Sequence, residues 1–195
     1  MRYAMVVFVV LCSTSTSFSQ TALTKTDPDD TPTTAATVTA SPLDDLAWMV
    51  GTWVDRGDEV VITTDCSWTH QGKFLSRSFT IREGDELTLE GTQTIGWDPL
   101  EGRIRSWTFD SEGGRGEGRW YQDGDRWLVK TSFVLANGER ASSINVITRI
   151  DENTMGWQST NREIAGELQP NIPEVTVVRQ TNETETPKDK KDQVQ

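Results

Sequence analysis

Few side chains in this chain of 195 residues could do chemistry, and their spacing limits what that chemistry is. The one histidine, His70, falls in the turn-like stretch "THQGK". A lone imidazole at a turn builds neither an ordinary zinc site nor a serine–histidine catalytic arrangement. Of the two cysteines, Cys12 lies in an apolar N-terminal run and follows Leu11. The residue before a lipidated cysteine is normally small, so Leu11 argues against a lipid anchor there. Cys66, in "VVITTDCSW", shares an alternating face with Ile62 and Trp68, as a small buried hydrophobe does. The acids Glu83, Asp85, Glu86, Asp123, Asp125, Asp151 and Glu152 fall in turn sequences, where carboxylates are solvated rather than poised for acid–base work. The glycine-rich "GGRGEG" at 113–118 is not followed by the helix that a phosphate cradle needs, and it reads as a bend or wide hairpin in a sheet. No catalytic residue is assigned, and no metal or cofactor is expected.

Arginine and glutamine on apolar strand faces are what remain. Side chains alternate across a strand. In "FLSRSFTIR" one face carries Leu75, Arg77, Phe79 and Ile81; in "RIRSWTFD" one face carries Arg103, Arg105, Trp107 and Phe109. In "LTLEGTQTIGW" the face of Leu87, Leu89, Ile95 and Trp97 includes Gln93. If these faces turn inward, Arg77 and Arg105, helped by Gln93, are placed to hold an anionic head group, with Phe79, Trp97 and Trp107 covering the rest of the ligand. The competing reading pairs the two arginines with carboxylates such as Glu90 or Glu117, or leaves them at a wet rim, because an unpaired charge in a dry interior is costly.

The elements that must position these residues are strands. Ten runs alternate apolar and polar residues: "GTWVDR", "DEVVITTDCSWT", "FLSRSFTIR", "LTLEGTQTIGW", "RIRSWTFD", "EGRWYQ", "RWLVKTSFVL", "RASSINVITRI", "TMGWQSTNREI" and "EVTVVRQ". Short turns rich in Gly, Asp and Asn separate them, the pattern of antiparallel hairpins. The longer "AGELQPNIP" precedes the last run. The fold class is therefore all-β, an up-and-down meander of about ten strands, closed because closure removes the exposed edges. Ahead of it, "SPLDDLAWMV" predicts a short helical plug: Ser41 caps it, Pro42 suits its first position, and Asp44 and Asp45 suit its positive end. Leu43, Leu46, Trp48 and Met49 make that turn sticky enough to stop one end of a barrel. Most of the tryptophans sit among aliphatics at alternating positions, as core or lumen lining does.

Residues 1–19 read as a signal peptide, with Arg2, the apolar run from Ala4 to Leu11, and Ser17 and Ser19 at the cleavage end. Residues 20–42 read as a linker rich in Thr, Pro and Asp, residues 43–180 as the barrel domain, and residues 181–195 as a charged tail. An exported chain is expected, periplasmic or extracellular, with Cys66 unpaired once the leader is removed. The net charge of −11 and pI near 4.6 argue against nucleic-acid partners and against anionic membrane surfaces.

The triplet Gly51-Thr52-Trp53, standing ahead of nine further strands, resembles the Gly-x-Trp signature of the calycin group, which includes lipocalins, fatty-acid-binding proteins and nitrobindin-like ten-stranded barrels. In that group an arginine near the last strand packs across the tryptophan, and Arg179 in "VTVVRQ" occupies the matching place. The resemblance covers residues 43–180 and implies a structural lock of Gly51, Trp53 and Arg179. Nitrobindin-like barrels bind haem through a late histidine, which this chain lacks; no Soret band is expected. The chain is also similar to a bacterial domain, frequent in planctomycetes, that follows SnoaL-like domains in longer secreted proteins. The leading expectation is a secreted barrel that binds a small apolar or amphipathic molecule, anionic in one version, without covalent chemistry. The alternative is a structural or protein-interaction module of the cell envelope, with a barrel packed solid. An enzyme with unidentified catalytic residues stands third. A lumen cavity of several hundred cubic ångströms favours the first and a filled lumen the second, since small-molecule sites are usually about 300–1,000 Å³.

Overall fold

The computed structural model describes residues 41–181, so the signal peptide, all but the end of the linker, nearly all of the tail and Cys12 lie outside the described residues. Among the described residues the one helical piece is a 3-10 helix, Asp44–Met49. Eleven strands follow: β1 (Gly51–Arg56), β2 (Val60–Thr69), β3 (Phe74–Glu83), β4 (Glu86–Asp98), β5 (Arg103–Asp110), β6 (Arg115–Asp123), β7 (Arg126–Val134), β8 (Arg140–Arg149), β9 (Thr154–Ile164), β10 (Glu167–Leu168) and β11 (Ile172–Arg179). From β1 to β9 each strand pairs antiparallel with the next; β9 then pairs with β11, and β11 with β1. Ten strands thus close into a meander barrel. The two-residue β10, inside the "AGELQPNIP" segment, pairs only with β9 and stands outside the ring.

Chain direction fixes which end is closed. The 3-10 helix enters β1, so the start of β1, the ends of β2, β4, β6, β8 and β11 and the starts of β3, β5, β7 and β9 share the plugged end. Ser41 Oγ accepts the Leu43 N–H (3.3 Å) and Asp44 Oδ2 accepts the Ser41 N–H (2.8 Å), which brace the turn ahead of the helix. The N-cap is Leu43, without a side-chain cap, so Ser41 and Pro42 stand in that preceding turn and not at the expected cap and first helical position. Leu43, Leu46 and Met49 are fully buried and pack with Trp53, Leu75, Ile95, Ile104, Trp120, Trp127, Met155 and Val177. The helix is therefore the stopper of this end.

The seam between first and last strands is held by Arg179. Its guanidinium lies 4.2 Å from the centre of the Trp53 ring. It donates to the carbonyls of Trp48 (2.8 Å), Val50 and Glu152 (3.0 Å). Trp53 Nε1 in turn donates to Met49 O (2.8 Å). Gly51 makes the approach feasible: its φ is +121°, and a Cβ there would collide with Arg179 Nη1. Gly51, Trp53 and Arg179 thus form one contact that ties plug, first strand and last strand together.

Candidate functional site

Inside the barrel, composition changes with depth. The plugged end is apolar, and the middle carries hydroxyls: Thr64, Ser106, Thr108, Ser143 and Ser159 are all buried on inward positions. One rung of the sheet runs Gly51, Cys66, Arg77, Gln93, Thr108, Gly116, each residue opposite the next on neighbouring strands. This register brings the Arg77 Nη1–H onto Gln93 Oε1 (2.9 Å), and the Gln93 amide donates onward to Thr108 Oγ1 (3.2 Å) and Ser106 Oγ (3.3 Å). Trp120 Nε1 also donates to Ser106 Oγ (3.0 Å). On the other wall, Thr131 and Ser143 share a hydroxyl hydrogen bond of 2.7 Å.

These groups surround a cavity of about 80 Å³ in the lumen. Arg77, Phe79, Gln93, Trp120, Trp157 and Arg162 are among the residues that line it. The one acidic residue among its described lining residues, Glu117, directs its carboxylate to Arg105 on the outer wall. Glycine supplies the room. Gly116 lines the cavity, and a Cβ at Gly118 would come within 2.9 Å of Val129 Cγ1 and press on Ser106 Oγ. The "GGRGEG" stretch therefore begins in a bend and continues into β6, where it keeps the lumen from filling.

Arg77 has no ion pair with a carboxylate among the described residues, and its Nε is enclosed without a hydrogen-bond partner. Burial pushes its guanidinium below the usual arginine value, partly opposed by attraction to Cys66 across the rung. Burial also pushes the Cys66 thiol up to about 11, against the pull of Arg77. Cys66 is therefore a neutral thiol at physiological pH, a packed core residue and a poor nucleophile.

The expected site residues separate into two groups. Arg77, Gln93 and Phe79 face the cavity together. Arg105 and Trp107 do not: on β5 the buried, inward residues are Ile104, Ser106 and Thr108, so the arginine and tryptophan are on the outer wall. There the Arg105 guanidinium sits 5.6 Å from the Trp107 ring centre and forms ion pairs with Asp98 (3.0 Å), Glu101 (3.1 Å) and Glu117. The physical reason is volume. Trp120 and Trp127, packed edge to face at 6.0 Å, occupy the lumen beside β5, whose inward positions hold Ile104 and the small Ser106 and Thr108 in place of the larger side chains. Trp97 follows the inward spacing of Gln93 and Ile95 but lies at the plugged end, 40% exposed and away from the cavity. Its neighbour across the sheet, Ile104, is the residue that meets the plug there. His70 is in the β2–β3 turn, on the same end, stacked edge to face on Phe74 at 5.6 Å.

Arg162 is the functional candidate that sequence reading missed. Strict alternation along β9 places Met155, Trp157 and Ser159 inward and would turn Arg162 outward. A bulge reverses this: two steps on β8, from Ile144 to Ser142, face three on β9, from Thr160 to Glu163. Asn161, with φ of +49°, absorbs the extra residue. A polar "STNRE" in a strand, with an Asn able to take a left-handed conformation, was the available signal.

Among the described residues no helix is long and apolar enough to cross a membrane, and no group of three or more His, Cys, Asp or Glu is arranged to hold a metal ion. No protein-family model matches the chain, and no curated protein matches it.

Proposed function

We propose that this is an exported, non-catalytic binding barrel whose lumen takes a small anion at Arg77. One observation carries the reading: a guanidinium enclosed in a cavity with a glutamine for company and no counter-charge among the described residues. In a chain of net charge −11, such a group costs desolvation and gives nothing back unless an anion arrives. Arginine suits the role, since its planar fork matches carboxylate and phosphate oxygens. The Gly51–Trp53–Arg179 contact supports kinship with calycin barrels, which commonly carry ligands in the lumen. Export rests on the pattern of residues 1–19.

The test uses the lumen's own tryptophans, Trp120 and Trp157, as reporters. Titration of the full chain with acetate and inorganic phosphate, followed by intrinsic fluorescence and calorimetry, compares wild type with Arg77→Met. Arg105→Met serves as an outer-wall control. Loss of a charge-assisted hydrogen bond, about 1.5–3 kcal/mol, corresponds to affinity at least about tenfold weaker in Arg77→Met. Arg105→Met should bind as wild type does. A folded Arg77→Met variant with unchanged affinity contradicts the reading.

The second reading, an envelope interaction module with a solid barrel, draws on the size of the cavity, which is far below the usual 300–1,000 Å³ of small-molecule sites. Absence of any saturable anion effect in wild type would favour it.

A further inference from the structure

We propose that the lumen selects a small zwitterion, a carboxylate joined to an ammonium group as in glycine, over a plain anion of the same size. This rests on the anion-binding reading above and names the class of ligand it serves. Arg77 takes the carboxylate, while the acidic mouth of the barrel favours the ammonium and repels an uncompensated negative charge. Three observations converge on it.

First, the mouth is acidic on every side. The end opposite the plug is formed by the connections 57–59, 84–85, 111–114 and 135–139 and by the segment 165–171 that carries β10. Each brings at least one exposed carboxylate, Asp58, Glu59, Asp85, Glu112, Glu139 or Glu167, and none brings a lysine or arginine. The strand ends beside them carry both signs, Arg56, Arg82 and Arg140 with Glu83, Glu86 and Asp110, and so do not cancel that charge. Charge of one sign around an opening focuses its field there and sets which ions enter.

Second, a carboxylate faces the lumen between the mouth and Arg77. Asp55 follows Trp53 by two residues on the same face of β1 and stands opposite Ile62, whose next neighbour across the sheet is the buried Ile81. Ile62 lies nearer the mouth along β2 than Cys66, the residue opposite Arg77. Asp55 is half-buried and has no ion pair among the described residues, and burial pushes its carboxyl above the usual carboxylate value. The lumen therefore runs from negative at its opening to positive at depth. A zwitterion that enters carboxylate first presents its charges in the complementary order, and with no net charge it escapes the repulsion that an anion meets at the mouth.

Third, the space suits so small a molecule. The cavity extends from Arg77 to Ile172 at the start of β11, on the mouth side. About 80 Å³ is roughly the room of three waters at about 30 Å³ each, the scale of glycine. Arg77 Nε is enclosed without a hydrogen-bond partner and is a donor for the carboxylate. The selection asks nothing of Arg162, whose guanidinium is engaged with Pro170 O (2.7 Å).

Calorimetry on the full chain at pH 7.5 tests this with three probes: glycine, glycolate, in which a hydroxyl replaces the ammonium, and methylammonium, the cation alone. Wild type should bind glycine at least about tenfold more tightly than either of the others, a difference of about 1.4 kcal/mol. Arg77→Met should weaken glycine at least about tenfold. The triple variant Glu59→Gln, Asp85→Asn, Glu112→Gln changes only exposed side chains of the mouth. It should tighten glycolate and weaken glycine, narrowing their ratio at least about threefold, and Asp55→Asn should narrow it in the same direction. Glycolate bound as tightly as glycine, with both lost in Arg77→Met, refutes the zwitterion and leaves the anion reading standing. A glycine preference unchanged in the triple variant refutes the role of the mouth and overturns the proposal. Methylammonium bound as tightly as glycine overturns it too, as does the absence of saturable glycine binding in wild type; the acetate and phosphate titrations then decide the anion reading alone. Unchanged glycine binding in a folded Arg77→Met refutes both.

Discussion

A guanidinium enclosed without a counter-charge is costly, and Arg77 is enclosed without one among the described residues. A residue kept for stability would behave oppositely to one kept for a ligand. Replacing a buried ion by an apolar side chain of similar reach is often neutral or stabilising by about 1–4 kcal/mol, set against about 1 kcal/mol for the lost partner of Gln93 Oε1. In anion-free buffer, Arg77→Met should therefore unfold at a denaturant midpoint no lower than wild type within about 1 kcal/mol. A loss of several kcal/mol would mark Arg77 as structural. Gly51 is the contrasting case. Its left-handed backbone and the Arg179 guanidinium above it leave no place for a methyl group. Gly51→Ala should cost about 1–3 kcal/mol from backbone strain alone. The loss should exceed that of Gly72→Ala, where φ is also positive but nothing lies near. Equal losses would show that the Arg179 contact adds nothing.

At the scale of elements, the stopper and the outer-wall ion cluster carry separate jobs. Leu46 is fully enclosed between helix and barrel, so Leu46→Ala should destabilise by about 2–5 kcal/mol in equilibrium unfolding, as core truncations do. A loss under about 1 kcal/mol would mean the plug is loosely docked. The β4–β5 turn is pinned to β6 by Glu101, which accepts two hydrogen bonds from Arg119 at 3.0 Å each. Those bonds hold the Glu101 carboxyl below the usual carboxylate range, and Arg105 does the same for Asp98. A depressed carboxyl pKa adds stability above its unfolded value and loses it as pH falls through the folded one. The stability gap between wild type and Arg119→Met should be present at pH 7 and shrink as the solution is acidified below pH 4.5; a gap that stays constant would contradict the coupling. The same scale explains what could be read in advance. Ten strands and their order follow from Gly, Asp and Asn turns between alternating runs, and the helical stopper from Leu43, Leu46 and Met49 near its caps. The facing of β5 was not legible, because both of its faces carry apolar residues and only the bulk of Trp120 and Trp127 decides between them. Arg162 was not legible either, since alternation assumes no bulge and the register shift depends on pairing with β8.

For the molecule as a whole, closure and binding are arranged along one axis. Arg179 seals the seam beside the stopper, the tryptophan-rich layer fills the plugged half, and the polar belt with Arg77 lies beyond it. The central claim is that this belt is an anion site and not merely a polar spacer. Its most direct measurement is the arginine Nε–H region of a proton–nitrogen NMR spectrum of the full chain. The Arg77 signal, identified by its loss in Arg77→Lys, is followed during titration with acetate and phosphate. Because Arg77 Nε is enclosed without a hydrogen-bond partner, its Nε–H resonance should shift saturably, with the midpoint seen by calorimetry, while the Arg105 signal on the outer wall stays still. An Arg77 resonance that does not move at anion concentrations saturating any calorimetric event would contradict it.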